Sequence, residues 1–224
     1  MTNMKIRNIL WYVNGTLFDT LPAITYSFSK ALTEMGFSVA LNVIDGLVRQ
    51  SNAHCVETLS RRFKLDPSLL HRKFLEFYQT VSPANQPPFP GAREACEFIH
   101  RNGGLNIAVT DSSLASTLNL LETHEISDLI DETYSVEHGT HGSFNTSSLL
   151  LLLEKHDLEP EETLVIVSRE NDLQAIGTSG IRTCLIGKAE QSMADLRIEN
   201  YGQLFELMNG GEGYSSERRH TNGA

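Results

Sequence analysis

Cysteine is scarce in this chain. Cys55, Cys96 and Cys184 are far apart, odd in number and form no CxxC pair. That excludes a disulfide framework and a cysteine-rich zinc site, and the three read as small buried residues in a reducing compartment. Positive charge is also short, with 18 Lys and Arg against 28 Asp and Glu and a net charge of −10. Nucleic acid and anionic membrane both need a basic face, so neither is the expected partner. The same balance mildly repels small phosphorylated substrates unless a local cationic pocket overrides it. No apolar run approaches transmembrane length. Lys5 and Arg7 precede an apolar run that stops at Asn14, too short for a signal h-region and without a small-residue cleavage site, so a cytoplasmic location is the expectation.

What is present is ordinary for a globular chain: 224 residues, 40% hydrophobic and 21% charged. That suits one domain with a small insertion. Three short runs rich in branched residues, Ile9 to Val13, Leu105 to Thr110 and Thr163 to Val167, predict buried parallel strands. Glu132 to Val136 and Arg182 to Ile186 are weaker strand candidates. Helical patterns lie between them, over Leu114 to Thr123, Ser148 to His156 and Asp172 to Ser179, the last followed by the natural stop Gly180. Alternation of this kind predicts a doubly wound α/β core with a parallel sheet.

Residues 21 to 86 break the alternation. Ala23 to Met35, Val43 to Phe63 and Ser68 to Thr80 carry helical periodicity, and Leu65-Asp66-Pro67-Ser68 is a helix-start signal. The segment reads as an all-helical insertion that returns through the proline-rich stretch from Pro83 to Gly91. The expected layout is a core of 1–18 and 87–208, a helical cap of 19–86, and a Gly-, Ser- and charge-rich tail of 209–224 that is expected to be disordered. Five consecutive leucines, Leu149 to Leu153, cannot all face one core, so at least one, with Leu151 the candidate, should meet solvent.

The richest stretch runs from Asn8 to Thr20: an apolar strand, Tyr12-Val13-Asn14-Gly15-Thr16-Leu17, then Asp19-Thr20. This layout resembles the first motif of the haloacid dehalogenase (HAD) superfamily, a strand followed by Asp-x-Asp-Gly-Thr-Leu-x-Asp-Thr. The inserted helices, the Pro88-Phe89-Pro90-Gly91 return and the Leu158-to-Leu164 lead into the last strand are similar to its phosphoglycolate phosphatase and β-phosphoglucomutase branch. The resemblance covers about residues 5 to 208 and implies a Rossmann-like HAD core with an inserted helical cap.

The resemblance also implies a reaction, phosphoryl transfer to an aspartate, in which a second carboxylate shuttles the proton and Mg²⁺ neutralises the phosphate. On that frame Tyr12 stands at the nucleophile position and Asn14 at the acid/base position. A phenol with its ordinary pKa near 10 is only about a thousandth ionised at neutral pH, and an amide cannot shuttle a proton. Thr110 stands at the phosphate-binding hydroxyl, with Asp111 beside it discouraging an anion, while Gly15 keeps the turn. Ser143 stands at the phosphate lysine, and no Lys or Arg lies between Arg101 and Lys155 to replace it. His138 and His141 lack an acidic third ligand at a fixed spacing and read as solvated. Ser168 replaces a metal-binding Asp, and Asp172 is retained. Tyr12, Asn14, Ser168 and Asp172 are thus the remnant metal positions. No cofactor is expected, or Mg²⁺ if any activity remains.

Each of the lost groups typically supplies a factor of about a hundred or more. The expectation is a phosphatase-fold protein without aspartyl-phosphate chemistry, acting as a pseudophosphatase through a protein partner or a small ligand in the cap–core cleft, as a monomer or weak homodimer. Two alternatives stay open: a hydrolase of small phosphorylated metabolites with residual or rebuilt chemistry, and a phosphometabolite sensor.

Overall fold

The computed structural model describes residues 6–135, 146–176, 179–188 and 192–208. Six parallel strands form one sheet in the order β3-β2-β1-β4-β5-β6: β1 (Asn8–Tyr12), β2 (Asn106–Thr110), β3 (Glu132–Ser135), β4 (Thr163–Val167), β5 (Arg182–Ile186) and β6 (Leu196–Ile198). Every residue of β1, β2 and β4 is buried. This is why their sequences are unbroken apolar runs rather than alternating ones. The alternation appears in space instead. Ile9, Trp11, Leu164 and Ile166 face one layer, with α5 (Ala92–Arg101), α6 (Leu114–Thr123) and α9 (Tyr201–Met208). Leu10, Tyr12, Val109, Val165 and Val167 face the other, with α7 (Thr146–His156) and α8 (Glu170–Ile176). Helices on both faces make the sheet doubly wound, as expected.

A buried polar hub fixes β2 against its neighbours. Asn106 is fully buried; its Oδ1 accepts from Trp11 Nε1 at 2.9 Å, and its Nδ2 donates to the carbonyls of Cys96 and Leu129 at 2.9 Å each. The amide thereby pins β1, α5 and the approach to β3 in one register, at the cost of tolerating nothing apolar there.

Between β1 and β2 the chain inserts α1 (Leu21–Glu34), α2 (Leu41–Val48), α3 (Asn52–Phe63) and α4 (Pro67–Tyr78), which enclose a third apolar cluster centred on Phe28, Leu59, Leu70 and Phe74. The helical pattern of Val43 to Phe63 is two helices rather than one. The chain breaks at Arg49–Ser51, where the extended Ser51 caps α3 by accepting from His54 N at 2.9 Å. Sequence periodicity did not single out α5, β6 or α9. Tyr201 of α9 is buried and donates to the Thr16 carbonyl at 2.8 Å, so that unforeseen helix helps hold the loop after β1. On α7, Leu151 is 59% exposed and Leu150 48%, as the five-leucine run requires. No described helix is long and apolar enough to cross a membrane. The tail, Ser143, His138 and His141 lie outside the described residues.

Candidate functional site

The parallel order brings the carboxyl ends of β1, β2 and β4 side by side. Tyr12 is in register with Val109, and Trp11 with Ile166, so Tyr12 and Thr110 end neighbouring strands and Ser168 follows β4 directly. After Tyr12 the chain turns tightly, with Leu17 N donating to Tyr12 O at 3.0 Å and Gly15 N to Phe18 O at 2.9 Å. Gly15 sits at φ +71°, where a side chain is strained, and a Cβ there would lie 3.1 Å from Ser168 Oγ. The turn that the sequence implied is present, and it places Ser168 against Gly15.

Tyr12 is buried. Burial pushes its phenol well above the usual value, Asp172 and Asp111 push it further, and only Arg169 opposes them. A cation does therefore approach this phenol, which the sequence had not revealed, but it is outweighed. Asn14 donates its side-chain amide to Asp111 and, at 3.0 Å, to Ser112 Oγ. The Thr110 hydroxyl accepts from Ser112 N at 3.0 Å and from Thr117 Oγ1 at 3.2 Å, bracing the turn into α6. Ser113 caps α6 by accepting from Ser116 N at 3.2 Å.

The sequence resemblance put Arg169 at a position where the family often carries an arginine, but it gave that residue no role at the centre of the site. Arg169, only 8% exposed, donates from Nε to Asp172 Oδ2 at 2.9 Å and lies 3.7 Å from Asp111 Oδ2. Its three-residue spacing from Asp172 across the start of α8 was the available signal. Burial works against its charge, but Asp172 and Asp111 overcome that and raise its pKa. Asp172 is itself raised, because burial outweighs the pull of Arg169 and Asp111 adds to it. The cap also reaches in. Asn52 Nδ2, at the start of α3, is 3.5 Å from Asp111 Oδ2, and Asn171 Nδ2 is 3.4 Å from the Gln50 carbonyl. A small cleft of about 70 Å³ opens beside Asn14, between Tyr78, Gln86, Ser112, Thr117 and Asn119, and no described residue that lines it is charged.

Mg²⁺ does not fit these donors. It needs oxygen ligands near an octahedron, anchored by one or two carboxylates. Tyr12 offers a neutral phenol, Ser168 a hydroxyl, and Asp172 is engaged by a guanidinium. A divalent ion roughly 4 Å from that guanidinium would be repelled by about 8 kcal/mol at an effective dielectric of about 20. Among the described residues no group of three or more His, Cys, Asp or Glu is placed to hold a metal.

A parallel sheet that gathers its polar residues at the tips of β1, β2 and β4 under inserted helices defines a capped, doubly wound α/β fold of the phosphatase type. The sequence model of the haloacid dehalogenase-like hydrolase family matches residues 9–186, and the chain belongs to that family. It is similar to phosphoglycolate phosphatase of Vibrio vulnificus, 24% identical over 189 residues that cover 80% of this chain and 83% of the relative. Among solved structures, a predicted phosphoglycolate phosphatase of Haemophilus somnus superimposes with a TM-score of 0.77 at 16% identity, covering 91% of this chain and 98% of that one. A β-phosphoglucomutase-like protein of Bacteroides vulgatus gives 0.72 at 20% identity, over 94% and 91%. The fold is thus similar to those of proteins named for phosphoglycolate phosphatase and β-phosphoglucomutase.

Proposed function

We propose that this protein is a pseudophosphatase, a HAD-fold chain that no longer forms an aspartyl phosphate and works by binding a protein partner or a small ligand at the cap–core cleft. The observation that carries this is Tyr12. At the nucleophile position stands a buried phenol whose pKa is raised, so its nucleophilic form is scarcer than the roughly one part in a thousand of a free tyrosine. Asn14 adds to it, since its amide is already spent on Asp111 and Ser112. Phosphate would also find Asp111 beside Thr110, with Arg169, the one nearby cation among the described residues, engaged by two carboxylates.

The experiment is turnover of a panel of phosphate monoesters by the purified full chain with Mg²⁺. The expected result is hydrolysis at background. Turnover well above background that Tyr12→Phe abolishes would establish rebuilt chemistry instead. The uncharged lining of the cleft favours neutral hydrogen-bonding ligands over phosphorylated ones. Thermal stabilisation by a phosphometabolite would therefore move the reading towards a sensor of such compounds.

A further inference from the structure

The ion-pair cluster under the cap has a feature that the loss of catalytic groups does not explain. When Tyr12 and Ser168 replace carboxylates, the need for a cation falls, yet Asp172 and Asp111 remain close enough at the strand tips to repel each other, and a cation between them is still needed. Arg169 meets that need from within the chain. Its guanidinium is nearly inaccessible, bonds Asp172 through Nε at 2.9 Å, and turns Nη2 towards Asp111 at 3.7 Å. A guanidinium cannot lose its proton in a protein, and its planar fork addresses two acids at once. Asp111 carries the connection onward, since it also accepts from Asn14 of the β1 turn and faces Asn52 of the cap at 3.5 Å. One side chain thus joins the tips of β4 and β2, the β1 turn and the first turn of α3.

We propose that Arg169 is the resident cation of this site, which offsets part of the negative charge of Asp172 and Asp111 and excludes Mg²⁺ from them. This deepens the pseudophosphatase reading and rests on its loss of metal chemistry, but the two can fail separately. Folding of the strand-tip cluster and its contact with the cap then proceed independently of metal concentration.

The test is metal binding by the full chain, read from the free Mn²⁺ signal in electron paramagnetic resonance and from melting with millimolar Mg²⁺ against EDTA. The wild-type protein is expected to leave Mn²⁺ free and to melt at the same temperature in both conditions. Arg169→Met uncovers the two carboxylates and is expected to bind Mn²⁺ at least about tenfold more tightly than wild type, with Mg²⁺ raising its melting temperature. Should that variant not fold, Arg169→Gln keeps a donor for Asp172 without the charge and carries the same readout. Stoichiometric Mn²⁺ binding by the wild type overturns the proposal, and so does a folded Arg169 variant that stays blind to metal. Phosphatase turnover insensitive to EDTA would overturn the pseudophosphatase reading while leaving Arg169 in its role. Metal binding without turnover would do the reverse.

Discussion

Arg169 Nε and Asp172 Oδ2 meet at 2.9 Å with both side chains largely withdrawn from water, at 7% and 15% exposure. A pair this buried gains little over well-packed apolar residues, yet removing one partner leaves a charge stranded and costs about 3–5 kcal/mol. The site is held by shared partners rather than by independent bonds.

Asp111→Ala removes the acceptor that Asn14 and Asn52 face and one of the two acids near Arg169. We expect a stability loss of about 1–3 kcal/mol in urea unfolding. Amide exchange in the first turn of α3 should quicken more than exchange in β1. Equal protection of α3 in both proteins would mean that the cap contact contributes nothing.

Asn106→Leu keeps the volume of the hub and deletes its hydrogen bonds. The Trp11 indole and the carbonyls of Cys96 and Leu129 would be left buried without it. Three orphaned groups at about 1–3 kcal/mol each give an expected loss of roughly 3–9 kcal/mol, read from the midpoint of chemical denaturation.

Tyr12 predicts an alkaline limb. Its folded pKa lies above the unfolded value near 10 because of burial, then Asp172 and Asp111. Below that value both states hold the proton and stability is whole. As pH rises past about 10 the unfolded chain releases the proton first, and stability falls by up to about 1.4 kcal/mol per pH unit. Tyr12→Phe removes this titration, so its stability should decline less steeply between about pH 10 and 12. Parallel curves for the two proteins would show that the phenol ionises freely in the fold.

Gly15→Ala tests the turn that the sequence placed at the head of the site. The left-handed φ of +71° and the 3.1 Å approach to Ser168 Oγ should together cost about 1–2 kcal/mol. Gly36, also left-handed at φ +86° but with open space around its missing Cβ, serves as the control for backbone strain alone. A Gly15 variant no worse than a Gly36 variant would place all the cost in the backbone.

Much of this was legible beforehand. The strands of the core are short apolar runs because both sheet faces are covered, and such runs are readable one by one. The helix break at Arg49–Ser51 was not, since a cap residue inside a continuous apolar pattern leaves the periodicity intact. Nor was α9, an eight-residue helix whose place becomes clear only where Tyr201 packs on Trp11 with ring centroids 5.6 Å apart.

By itself the sequence determined the family frame and the chemistry of each position: a phenol at residue 12, an amide at 14, a hydroxyl at 168. Those are properties of single residues and local spacing, and they need no partner to be known. Only the tertiary structure decided what each group does with its charge. Arg169 and Asp111 are 58 residues apart along the chain, and Asn52 is 59 from Asp111. Their meeting depends on strand order and on the fall of the cap over the sheet. Electrostatics act through space, so pairings such as Arg169 with Asp111 and Asn52 with Asp111 follow from strand order and cap position rather than from local spacing.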